Sequence, residues 1–154
     1  MRRFLLFLAF FLVTSPLMAA DDPLVGYWET EDKDGVIELY PCEAKFCGRF
    51  VWLEGDSVET PSLDDHNPDP AKRRQPLCGL TFLGDFEKEE GGYENGWIYS
   101  PRHGQHFSAR LALEGKDELT LRGYVLLPIF GGTQIWKRVS KPNLCWALAL
   151  PKRL

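Results

Sequence analysis

The chain has 154 residues, with 18 Lys and Arg against 22 Asp and Glu and a formal net charge of −4. That acidic balance argues against nucleic acid, which wants a basic face, and against attraction to anionic lipid. The length suits one domain with a genuine core, and no internal repeat or low-complexity tract is visible.

Residues 1–20 read as a cleaved secretory signal peptide rather than as part of the fold. Arg2 and Arg3 form a positive start, Phe4 to Val13 is an unbroken apolar run, and Ala19-Ala20 precede Asp21-Asp22. The run is too short and wrongly flanked for a stable membrane span. Cleavage after Ala20 leaves 134 residues, with 16 bases against 22 acids and a net charge of −6. No later apolar segment reaches about 18 residues, so no stable membrane span is expected after cleavage. The expected address is periplasmic or secreted.

From Gly26 onward, turn signals recur every eight to twelve residues or so, the rhythm of a small all-β domain. The first expected strand is Gly26 to Thr30, followed by an Asp32-Lys33-Asp34-Gly35 turn with Gly placed for positive φ. Val36 to Tyr40 is the second. The third, Phe46 to Glu54, sets Phe46, Gly48, Phe50 and Trp52 on one face and Cys47, Arg49, Val51 and Leu53 on the other. A polar loop leads to the fourth, Leu77 to Phe86. Glu87 to Asn95 reads as a charged connection, and Gly96 to Ser100 as the fifth strand, turned by Pro101-Arg102-His103-Gly104. His106 to Glu114 alternates well, with Phe107, Ala109, Leu111 and Leu113 facing one way. Glu118 to Leu127 alternates less cleanly, and Gly132 to Val139 is the eighth strand. Helical periodicity never establishes itself over a useful window.

Eight strands with mostly short connections predict an all-β fold, a single antiparallel up-and-down barrel over residues 21–140, with 141–154 as a C-terminal tail. Closure removes the exposed edges. Such a barrel has an interior just wide enough for packed side chains or for one small ligand.

All four cysteines lie in the exported part, where disulfides are favoured. Cys42 and Cys47 have the spacing of a bridged hairpin tip. Cys78 and Cys145 remain as a second pair by elimination, although nothing in the sequence fixes their geometry. A zinc site is not expected, since only one short cysteine pair exists and His66, His103 and His106 share no ligand spacing with it.

The loop from Asp64 to Gly79 is polar and stiffened by Pro68, Pro70 and Pro76. Asp65, Asn67 and Asp69 alternate as calcium ligands do. Pro70 and Pro76 stand where an EF-hand needs Gly and a bidentate Glu, so no metal is expected. The alternative is that Asp65 and Asn67 form Asx-turns and Asp69 pairs with Arg73 or Arg74. Tyr99, Arg122 and Tyr124 carry polar tips in strands. Turned inward they offer a guanidinium and phenols to a ligand, and turned outward they are an ordinary solvated face. For catalysis, Ser100, His103 and Asp65 are individually available, but no recognisable nucleophile setting surrounds them.

Gly26-Tyr27-Trp28, Tyr40-Pro41-Cys42, Cys47-Gly48-Arg49, Asn67-Pro68-Asp69-Pro70, Arg74-Gln75-Pro76-Leu77-Cys78-Gly79, Arg122-Gly123-Tyr124-Val125 and Gln134-Ile135-Trp136-Lys137-Arg138-Val139 form a distinctive series. In order and spacing, over roughly residues 25 to 139, the chain resembles the bacterial exported proteins of domain of unknown function 2147. The resemblance implies a bacterial origin, an exported address and a lipocalin-like (calycin) barrel, and it supplies no established activity. A likeness to lipocalins proper implies a structural role for Trp28 at one barrel end, with Arg138 stacked over it.

The expected function is therefore non-catalytic binding of a small apolar or amphipathic ligand, without a cofactor. Trp52, Asp65, Asn67, Asp69, Arg74, Tyr99, Arg122 and Tyr124 are the candidate contacts. The alternatives are an envelope module that binds another exported protein and, behind it, a hydrolase.

Overall fold

A computed structural model describes residues 22–126 and 131–149. The proposed signal peptide, Leu127 at the expected end of the seventh strand, and the last five residues of the tail lie outside them. The strands are β1 (Gly26–Glu29), β2 (Gly35–Cys42), β3 (Lys45–Leu53), β4 (Thr81–Glu89), β5 (Gly92–Ser100), β6 (Gln105–Glu114), β7 (Glu118–Tyr124) and β8 (Gly131–Val139). Each pairs antiparallel with the next and β1 pairs with β8, so the sheet closes into an eight-stranded up-and-down barrel. A one-turn helix, α1 (Trp146–Ala149), follows outside it.

Three strands differ from the sequence reading for local reasons. The charged stretch after Phe86 continues the sheet, because Glu87, Lys88 and Glu89 pair with Glu94, Tyr93 and Gly92 across a tight turn at Gly91. Asn95, with φ of 61°, marks the register shift that breaks the alternation of β5. Leu77 to Leu80 are not strand: Leu80 N–H bonds back to Leu77 O, and β4 starts at Thr81. In β3, Val36 pairs with Trp52 and Ile37 with Phe50, so Val51 is an extra residue. Such a bulge shifts the side-chain alternation, and the two faces expected of this strand do not persist to its end.

One half of the barrel is filled. Trp28, Ile37, Leu39, Leu83, Phe86 and Leu119 are fully buried in a continuous apolar cluster. Phe86 reaches inward because Gly96 leaves room for its ring; a Cβ there would lie 2.3 Å from it. Trp28 Nε1 donates to Leu24 O at 3.0 Å, and the Arg138 guanidinium lies 4.1 Å from the Trp28 ring centre. The same guanidinium donates to Lys116 O at 2.7 Å, Val25 O at 3.2 Å and Pro23 O, tying the N-terminal segment across this end. Beside it the buried Asp22 accepts from Leu24 N–H, Lys88 and Tyr93. Burial raises its pKa, but those hydrogen bonds outweigh it and hold the carboxyl below its usual value.

Two disulfides hold the surface together. Cys42–Cys47 closes the β2–β3 hairpin, and Cys78–Cys145 fastens the tail to the loop before β4. Cys145 N–H donates to Val51 O at 2.8 Å, so the tail lies along β3 and the extra residue Val51 is fully buried outside the main cluster.

Candidate functional site: an apolar cavity at the open end

The other half of the barrel is hollow, with a cavity of about 580 Å³ opening at the end formed by the β1–β2, β3–β4 and β5–β6 connections. That volume lies in the range of small-molecule sites. Phe50 and Phe82 stack on one wall, ring centres 3.9 Å apart and planes 15° apart. Ile98, Phe107 and Leu121 continue the wall around β5, β6 and β7, and the buried Trp136 lies toward the filled half. Trp136 Nε1 donates to Gln134 Oε1 at 3.0 Å, and the exposed Gln134 amide borders the cavity. Gly123 and Gly132 are paired across β7 and β8 and both line the space. A Cβ on Gly132 would meet nothing within 4 Å, so the hollow exists partly because these two positions carry no side chain.

The mouth is polar. The β1–β2 turn contributes Thr30, Asp32 and Asp34, and the β5–β6 turn contributes Ser100, Arg102 and His103. Thr30 Oγ1 donates to Asp34 Oδ1 at 2.7 Å. Ser100 Oγ and His103 Nδ1 share a hydrogen bond of 2.9 Å within their turn. Asp65 bonds instead to His66, at 2.8 Å, so Ser100, His103 and Asp65 do not converge into a nucleophile, base and orienting acid.

The long loop is anchored through Asp64, fully buried. Its Oδ2 accepts from Asn67 Nδ2 at 2.6 Å and Gln75 Nε2 at 2.9 Å, and its Oδ1 from Tyr99 at 2.7 Å. Burial, then the bond to Asp64 and its charge, push the Tyr99 hydroxyl up to about 12. Loop and β5–β6 turn are in tight contact at Gly104, where φ is +62° and a Cβ would lie 2.1 Å from His66 O. No side chain fits there.

The structure distributes the sequence-nominated residues unevenly. Tyr99 borders the cavity, with its hydroxyl bonded to Asp64. Trp52 is half-buried and does not line the cavity; beyond the Val51 bulge, Leu53 does. Arg122 and Tyr124 flank the cavity-lining Gly123, so alternation puts them on the outer face, where Arg122 bonds Thr133 at 2.6 Å. Asn67 is buried and braces the loop, its Oδ1 accepting from Asp69 N–H at 2.9 Å. Asp69 caps a 3-10 turn at Pro70–Lys72 by accepting from Ala71 N–H, rather than pairing with Arg73 or Arg74. Asp65 and Arg74 are exposed. Phe82, Phe107, Leu121, Gln134 and Trp136 also line the cavity and are not among the contacts that the sequence points to. The clean alternation of β6 was the signal available for Phe107; the others depend on register.

Among the described residues, Asp56, Cys78 and Cys145 form a cluster of potential metal donors. Both sulfurs are bound in the disulfide, whereas a metal takes thiolate.

No curated protein matches this chain. A solved structure does: HP1028 from the human pathogen Helicobacter pylori, described as belonging to the lipocalin family. It is 24% identical, with 76% of this chain and 83% of that one covered and a TM-score of 0.68. At that identity the likeness concerns the fold, and it agrees with the closed eight-stranded barrel. The family model of uncharacterized proteins conserved in bacteria (DUF2147) matches residues 26–138, most of the chain, and this protein belongs to that family.

Proposed function

We propose that this protein is an exported, non-catalytic carrier that holds one small apolar or amphipathic molecule in the open half of its barrel. The observation that carries the reading is the cavity of about 580 Å³, walled by Phe50, Phe82, Ile98, Phe107 and Leu121 and rimmed by polar turns. An apolar space of this kind gains by taking apolar surface out of water, at about 0.8 kcal/mol per buried methylene. Export is supported by two disulfides and by a bacterial family. At the mouth Ser100 and His103 share a hydrogen bond, but Asp65 pairs with His66 and does not orient His103, which favours binding over turnover.

Native mass spectrometry of protein purified from the bacterial periplasm tests this directly. A bound small molecule, lost on organic extraction and competing with an apolar fluorescent dye, is the expected result. An empty protein that also fails to bind the dye or any amphiphile overturns the reading.

A further inference from the structure

We infer that the molecule carried has a zwitterionic head on a single apolar body, with its cationic end at Asp32 and Asp34 and its anionic end at Arg102. This rests on the carrier reading above and specifies its ligand class. The β1–β2 and β5–β6 turns lie half a circuit apart around an eight-stranded barrel, yet both line the mouth of the same cavity. One side of the mouth therefore carries two carboxylates, and the other a guanidinium with the Ser100–His103 hydrogen-bonded pair. Among the described residues no ion pair joins the two sides.

The mouth thus presents exposed charges of opposite sign on its two sides above an apolar space, with Asp34 held by Thr30. A simple anion such as a fatty acid meets Arg102 but faces the two carboxylates; a simple alkyl cation has the reverse difficulty. A head bearing both charges satisfies both sides while its tail occupies the space between Phe82 and Leu121. The charged side chains that line the cavity, Asp32, Asp34 and Arg102, all lie in the rim turns, so charged recognition is confined to the rim, where like charges discriminate by repulsion. Two sources share this head chemistry: a phosphodiester–ammonium head, as on a lysophospholipid, and the ammonium–carboxylate of an acylated amino acid with a free zwitterion.

The test uses the full mature protein and probes with one common tail: dodecylphosphocholine, dodecanoate, dodecylammonium and monododecanoylglycerol, titrated below micelle formation by intrinsic tryptophan fluorescence. An amino-acid zwitterion on the same tail is the fifth probe, and whichever zwitterion binds tighter names the source. Both zwitterions are expected to bind about three- to tenfold tighter than the neutral glyceride, the size of effect that exposed charge pairs allow. Asp32→Asn with Asp34→Asn weakens the zwitterions and the cation. Arg102→Gln weakens the zwitterions and the anion. Neither change moves the neutral glyceride, which also reports that the variants are folded. Equal binding of all five probes, unchanged in the variants, overturns the zwitterion proposal and leaves the carrier reading standing. Binding of none of them removes both.

Discussion

The Tyr99 hydroxyl donates to Asp64 Oδ1 at 2.7 Å, and both side chains are buried. This bond ties the β5 wall to the long loop through Asp64, whose other oxygen holds Asn67 and Gln75. A hydrogen bond to a charged group contributes about 1.5–3 kcal/mol. Tyr99→Phe is expected to destabilise by that amount in urea unfolding. Asp64→Ala, which leaves the buried donors of Asn67 and Tyr99 and the half-buried one of Gln75 unpaired, is expected to cost more. A Tyr99→Phe midpoint equal to wild type would show that the loop is held by other means.

The same bond gives the protein an alkaline limit. Burial and then Asp64 push Tyr99 up to about 12, while an unfolded tyrosine titrates near 10. Between those values the folded state retains a proton that the unfolded state has lost, so stability falls as pH rises from about 10 to about 12. Tyr93 is raised too, by burial and Asp22, and pulls in the same direction. The difference between wild type and Tyr99→Phe should therefore shrink across this range. Parallel stability curves would contradict the assignment.

At the other end, the Asp22 carboxyl is held below its usual value by Lys88, Tyr93 and Leu24 N–H, against the opposing effect of burial. A depressed carboxylate contributes stability that is present above its unfolded pKa, near 3.9, and lost as pH falls through the folded value. Asp22→Asn should be less stable than wild type at neutral pH, and the gap should close on acidification below about 4. Thermal melts at stepped pH measure this.

Filling the cavity is expected to separate folding from binding. Gly132 faces open space, so a leucine there has room and improves strand propensity. Gly132→Leu should melt at or above the wild-type temperature while losing about tenfold or more in dye and amphiphile affinity, as apolar volume is removed. Unchanged affinity would place binding elsewhere.

The two disulfides should differ in worth. Cys78–Cys145 spans a sequence separation of 67, and Cys42–Cys47 one of 5. Chain-entropy reasoning gives about 4 kcal/mol for the long closure and about 2 for the short one. Replacing Cys78 and Cys145 with alanine should also release the tail, read as faster amide exchange at Cys145→Ala and at Leu148, whose side chain packs over Gly79. Equal losses from both pairs would point to enthalpic contributions instead.

The strands were legible because alternation and turn chemistry are local properties; β6 is the clearest case, with Phe107, Ala109, Leu111 and Leu113 facing inward as their spacing implies. The site was much less so. Asp65, Asn67 and Asp69 drew attention as an alternating acidic series, yet the residue that organises the loop is Asp64, whose partners Gln75 and Tyr99 are distant in sequence. Strict alternation sets Trp52 on the face of Phe46, Gly48 and Phe50, and the Val51 bulge interrupts it. For Arg122 and Tyr124 the sequence leaves a binary choice of face, and the cavity-lining position of Gly123 between them decides it.

By itself, the sequence determined an eight-stranded all-β chain, since a period of two and regularly spaced turns are written residue by residue. It also marked Cys42 and Cys47 as a short bridged pair. Only the tertiary structure decided which half of the barrel is filled and which is hollow. That outcome depends on what stands opposite each glycine: Phe86 fills the space beside Gly96, whereas Gly132 faces Gly123 and leaves it open. Register across strands sets those oppositions, and register is a property of the closed sheet rather than of any one segment.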